Sequence, residues 1–262
     1  MKKVIFSVVS AVFIISLIVP SFSFAQTGTS TPREGKGNKG DLCARLGTRL
    51  GEIGQKVGER FTELKAKKDS HRENVSTKWK EFETKRTENR AERDSNFTEH
   101  FAKLTEKATT DAQKAAVTAF QAAVQSTVNA RRTAVDSAVK TFEDGVKVEV
   151  DKRQAANQTA FQTMQASIKT ATDKAKADCA TATDLKAVRD ALNASIKTAK
   201  DTFQASVKTS QDSFKTAFET LKTARKTAVD KATADFKAAL EKSKTDLKVA
   251  FGTPTNSTTT TP

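Results

Sequence analysis

The chain has 262 residues and a formal net charge of +14, from 45 Lys and Arg set against 31 Asp and Glu. It contains sixteen Phe and one Trp, no Tyr, two His and two Cys. So few His leave little material for a metal centre or a histidine-based catalytic constellation, while the positive charge favours anionic partners such as nucleic acid, phospholipid headgroups or acidic envelope polymers.

Residues 1–25 read as a cleavable signal peptide. Lys2 and Lys3 form a charged start, Val4 to Val19 an apolar core, and Ser23-Phe24-Ala25 a small-residue cleavage motif before Gln26. The apolar run is shorter than the ~20 residues that span a bilayer, so cleavage is expected rather than retention as an anchor. The mature chain then carries +12, and its expected location is periplasmic, cell-surface or secreted, in a bacterial cell. Asn-x-Ser/Thr triplets begin at Asn74, Asn96, Asn157, Asn193 and Asn256; they are expected to stay unmodified there and would be glycan acceptors in a eukaryotic secretory pathway. Residues 26–41 hold almost nothing to bury and read as a flexible polar leader. Residues 252–262, rich in Thr and Pro, read as a disordered tail.

Between them, 42–251 lacks Pro and shows no strand-type alternation. Its signal is an apolar stripe with an eleven-residue period, about 3.67 residues per turn, which stays on one face of a nearly straight helix. One array runs Val117-Phe120-Val124, Val128-Arg131-Val135, Val139-Phe142-Val146, Val150-Arg153-Asn157 and Phe161-Met164-Ile168. Another runs from Leu185-Val188-Leu192 to Leu240-Ser243-Leu247. A weaker array precedes them, from Leu46-Arg49-Ile53 through Lys68-His71-Val75 and Trp79-Phe82-Arg86 to Phe101-Leu104-Ala108. The phase slips by five residues before Val117 and by two before Leu185, turning the apolar face by about 140° and about 200°. A chain reversal at each slip restores a common face. Thr110 with Gln113 has capping-box spacing, and Thr183 or Asp184 can cap the next helix. The expectation is all-α: a long antiparallel up-down-up three-helix bundle, coiled-coil-like with a hendecad repeat, with helices at about 42–108, 111–180 and 184–250. The first helix is the least apolar between Arg72 and His100, so it either packs loosely or projects from a hairpin of the other two.

Cys43 opens the first helix and Cys179 closes the second, which antiparallel packing brings to one pole. In an exported chain this pair reads as a structural disulfide, worth on the order of 5 kcal/mol for so long a loop, with two unpaired or intermolecular thiols as the alternative. His71 and His100 lie about 44 Å apart on one helix and share no metal-type spacing with each other or with a cysteine. No catalytic residue, cofactor site or metal site is expected. Gly47, Gly51, Gly54 and Gly58 fit either a close helix approach or a frayed helix start.

Basic residues on or beside the stripe are the candidate anion-binding groups: Arg131, Arg153 and Arg225, with a ladder of Lys215, Lys226, Lys237 and Lys248 each one residue past a stripe position. Their stems can cover the seam with the charge reaching water, or the row can form a cationic groove with salt-dependent affinity for a polyanion. In period and composition these Ala-, Lys-, Thr- and Asp-rich repeats resemble late-embryogenesis proteins and exchangeable apolipoproteins, without a shared motif. The second resemblance implies that amphipathic helices could open onto a lipid interface. The leading expectation is an exported, non-enzymatic helical-bundle protein with a structural or interaction role in the envelope or outside it. The alternative is a cationic binder of anionic membrane, envelope polymer, nucleic acid or unfolded clients. The partner is unknown, with an anionic polymer or membrane surface, or a second copy through its helices, as the possibilities.

Overall fold

The computed structural model describes the backbone of residues 39–252 and their side chains except those of 39–47, 49, 50, 53 and 60. The expected signal peptide, the expected leader up to residue 38 and the expected tail from 253 lie outside the described residues. Within them the chain is all-α. Three long helices follow one another: α1, Lys39–Glu106; α2, Asp111–Thr181; and α3, Leu185–Gly252. Each is about 100 Å long at 1.5 Å per residue. No described helix is long and apolar enough to cross a membrane.

Polar side chains rather than Gly or Pro write both turns. The amide of Ala108 donates to the Thr105 carbonyl at 3.1 Å, tightening the end of α1 two residues before the expected boundary. Thr110 then takes an extended backbone (φ −111°, ψ 157°) and caps α2. Its hydroxyl accepts from the Gln113 amide at 3.2 Å, and the Gln113 carboxamide oxygen accepts from the amides of Thr109 and Thr110 at 2.9 and 3.4 Å. This is a reciprocal capping box, with Asp111 adding negative charge at the positive end of the helix dipole. At the second turn the Asp184 carboxylate, not Thr183, accepts from the amides of Lys186 and Ala187 at 2.8 and 3.2 Å. At the start of α1 the helix reaches back to Lys39, three residues into the stretch expected to be leader.

The α2 and α3 helices form a closely packed antiparallel hairpin. Phe142 lies against Phe218, Asn157 against Ser210, and Phe161 against Phe203, so α3 numbers fall as α2 numbers rise. Val117, Val124, Ile168, Val188, Leu192, Ile196 and Val207 are buried along this seam. Burying each such side chain is worth roughly 1.5–3 kcal/mol. Gly145 marks a close approach, because a Cβ there would stand 2.6 Å from the Leu221 Cδ2.

Helix α1 runs back along α2, and among the described residues its backbone nowhere comes close to that of α3. The three passes therefore do not close into an even bundle. Apolar contact concentrates near the two ends of α1. At one pole Val57 joins Phe161, Met164 and Ile168 of α2 and Ala199 of α3, and Phe61 stacks on Phe161 at 3.8 Å. At the other, Phe101 meets Phe120 edge-on at 5.7 Å. Between them Phe82 is 69% exposed, so the expected stripe position finds no neighbour there. A Cβ added at Gly51, Gly54 or Gly58 would meet nothing within 4 Å, which removes close helix approach as the reason for these glycines.

Candidate anion-binding site

Each of the three seam arginines on α2 and α3 lies over a phenylalanine ring of the facing helix. Arg225 sits 4.4 Å above the Phe142 centroid, Arg153 4.7 Å above Phe214, and Arg131 5.7 Å from Phe236. A guanidinium is flat and weakly hydrated, so it fills a seam position over an aromatic face where an ammonium would not. This accounts for arginine, rather than lysine, at stripe positions. Burial pushes the Arg153 guanidinium below its ordinary range. The Nε of Arg131 is buried without a hydrogen-bond partner.

Lys215, Lys226, Lys237 and Lys248 lie on the exposed surface of α3. Lys226 pairs with Asp230 at 2.5 Å, and Lys215 borders a shallow, open depression with Glu219 and Thr223. Among the described residues Lys215, Lys237 and Lys248 have no ion pair. Helix α3 holds fourteen Lys and Arg against eight Asp and Glu, a larger positive excess than in α1 or α2. Elsewhere on α2 and α3 the lysines are largely matched within their own helix. Lys169–Asp173, Lys174–Asp178, Lys186–Asp190, Lys197–Asp201, Lys208–Asp212 and Lys231–Asp235 all place lysine four residues before its carboxylate. That order opposes the helix dipole, so these exposed pairs add solubility more than stability.

Arginine serves the α1 interface differently. Arg90 donates both terminal nitrogens to Asp136, at 2.8 and 2.7 Å, with Arg86 3.6 Å from the same carboxylate. Arg132 grips Asp94 in the same forked way, at 2.9 and 2.7 Å, and Arg72 reaches Asp151 at 2.8 Å. These bonds hold the Asp136 and Asp94 carboxyls below the usual carboxylate range. Burial does the reverse to Glu143, pushing it up, against nearby Lys147 and Arg86.

The remaining polar candidates are taken up by packing. Asn157 is buried, and its carboxamide oxygen accepts from the Ser210 hydroxyl at 2.7 Å, which leaves that triplet no access for a glycan. His71 is half-buried, and His100 is exposed with its ring edge-on to Phe101 at 6.0 Å. No group of three or more potential metal ligands occurs among the described residues. Cys179 is buried at 5% exposure and is not a free thiol, while the side chain of Cys43 lies outside the described residues. Sequence reasoning missed Asp94, Asp136 and Asp151 as partners, and missed Lys68 as the α1 residue facing Arg153. Only the antiparallel register, counted outward from the first turn, would have found them. Compared with protein-family models, curated proteins and solved structures, the chain matches none.

Proposed function

We propose that this protein is an exported, non-enzymatic helical rod with a structural or interaction role in the cell envelope or the extracellular space. The observation that carries the reading is how its polar seam residues are used. Arg131, Arg153 and Arg225 stack on rings, Asn157 bonds Ser210, and Arg72, Arg90 and Arg132 bridge α1 to α2. The groups best suited to chemistry hold helices together instead. The eleven-residue repeat supplies the layers: the arginine–phenylalanine contacts step by eleven along both helices, from Arg131 to Phe142 to Arg153 and from Phe236 to Arg225 to Phe214. Small-angle scattering of the mature chain should give a maximum dimension of about 100 Å. Fractionation should recover it outside the cytoplasmic membrane with Gln26 at its N-terminus. An uncleaved cytoplasmic chain would overturn the reading.

The rod is stapled at one pole by a Cys43–Cys179 disulfide. The register supports this pairing, since Phe61 stacks on Phe161, Cys43 lies eighteen residues before the one and Cys179 eighteen after the other. Non-reducing peptide mapping should find both cysteines in one linked fragment from a monomer; a bond between chains would exclude the staple.

A second reading, binding to an anionic polymer or membrane surface, is favoured by the charge excess of α3 and its unmatched lysines. Retention on heparin or anionic vesicles that falls steeply with salt supports it. Lack of retention at low salt removes it.

A further inference from the structure

The α1–α2 interface is knitted by opposite charges: Arg72 with Asp151, Arg86 and Arg90 with Asp136, and Asp94 with Arg132. One position sets two cations side by side. Lys68 lies between Phe61, which stacks on Phe161, and Arg72, which pairs with Asp151, so the register sets it beside Arg153. Both side chains are half-buried, and α3 closes the far side, with Phe214 under the Arg153 guanidinium at 4.7 Å. Asn157 and Ser210 lie one turn along and are hydrogen-bonded to each other. Among the described residues neither Lys68 nor Arg153 has an ion pair or hydrogen bond, and the neighbouring carboxylate of Asp151 is already engaged by Arg72.

We propose that Lys68 and Arg153 form a binding site for a single oxyanion of the phosphate class, which supplies the negative charge that a carboxylate provides elsewhere along this interface. The physical case is the cost of the empty arrangement. Two partly desolvated like charges repel more strongly than they would in water, because the surrounding medium screens them less. Burial, with the Arg153 charge added, depresses the Lys68 ammonium below its ordinary value, as a cation lacking a counter-ion would be. An ammonium with three donors and a guanidinium with five offer charge-assisted bonds to several oxygens of one tetrahedral anion. Bridging α1 to α2, the anion would fasten α1 along a stretch between its apolar contacts. The site does not depend on where the chain works in the cell.

Trp79, the single tryptophan, lies on α1 eleven residues from Lys68 and reports α1 docking by fluorescence. Inorganic phosphate titrated into the mature protein at constant ionic strength should raise the midpoint of the Trp79 thermal transition in a saturable way. Lys68→Met should weaken the apparent phosphate affinity at least tenfold, whereas Lys186→Ala, on the exposed face of α3 and already paired with Asp190, should leave it unchanged. Lys68→Glu places the missing carboxylate in the site; it should raise the midpoint without phosphate and abolish the response. Long-chain polyphosphate separates the sources: saturation by inorganic phosphate assigns a free ion, and saturation by the chain alone, lost in Lys68→Met, assigns a phosphate within a polymer. An unsaturable response, or an equal one in wild type and Lys68→Met, overturns the proposal.

Discussion

Along α2, the flank toward α3 and the flank toward α1 hold their neighbours by opposite means. Toward α3 the contact is mainly apolar, interrupted by the Asn157–Ser210 bond and by arginines that each have a phenylalanine ring beneath them. Toward α1 the middle of the interface is a set of arginine–carboxylate forks, with apolar packing near the ends. The first kind of interface is insensitive to salt and strongest where area is buried; the second responds to ionic strength and pH. One helix thus carries a permanent partner and a conditional one.

The largest effect should come from breaking the permanent side. Phe142→Ala removes a ring that is 9% exposed and uncovers Arg225, and should cost about 3–5 kcal/mol in thermal or denaturant unfolding followed by far-UV circular dichroism. A cost below about 1 kcal/mol would show that the α2–α3 seam is not the main source of stability. Asp136→Asn should cost about 1 kcal/mol, discounted because the pair is partly exposed, and should shift the Trp79 transition while leaving the hairpin melting where it was.

Acid tests the same contrast without mutation. Because Asp94 and Asp136 have folded pKa values below their unfolded ones, their stabilisation is complete above the ordinary carboxylate range. It is lost as pH falls through the folded values. Glu143, shifted upward, works against this, since protonating it relieves a buried charge near Lys147, Arg86, Glu83 and Asp144. With two bridging carboxylates against one, Trp79 fluorescence should report α1 release below about pH 4 before helicity falls. Coincident transitions would erase the distinction between the interfaces.

Gly145→Ala should cost about 1 kcal/mol net. Crowding against Leu221, at 1–3 kcal/mol, outweighs the gain of about 1 kcal/mol in helix propensity. The smallest effect belongs to the outer surface: Lys197→Ala, which removes the Asp201 contact, should change stability by less than about 0.5 kcal/mol.

The helices and their turns were legible because they are local. Phase slips located the reversals, and Thr110 and Asp184 carry capping chemistry in their own side chains. The α2–α3 pairing was half legible: the stripe marks which residues turn inward, yet that Arg153 meets Phe214 depends on a register set across the turn. The docking of α1 was least legible. Its stripe passes through Lys68, His71, Arg90 and Arg93, where period and polarity disagree, and acidic residues are too numerous on α2 for sequence to select Asp136. The site at Lys68 and Arg153 is hidden for the same reason, since it exists only when two helices are laid side by side.

Three passes of nearly equal length have a mechanical consequence. The start of α1 and the end of α3 lie at opposite poles, so tension applied between them acts along the rod and loads the helix interfaces in shear. With Cys43 bonded to Cys179, the pull would leave α1 at its first turn, cross the sulfur bridge to the end of α2 and travel out through α3 alone. The remainder of α1, with its salt-sensitive forks, would then carry no load, and the tension would fall on the helix whose whole length is packed against α2.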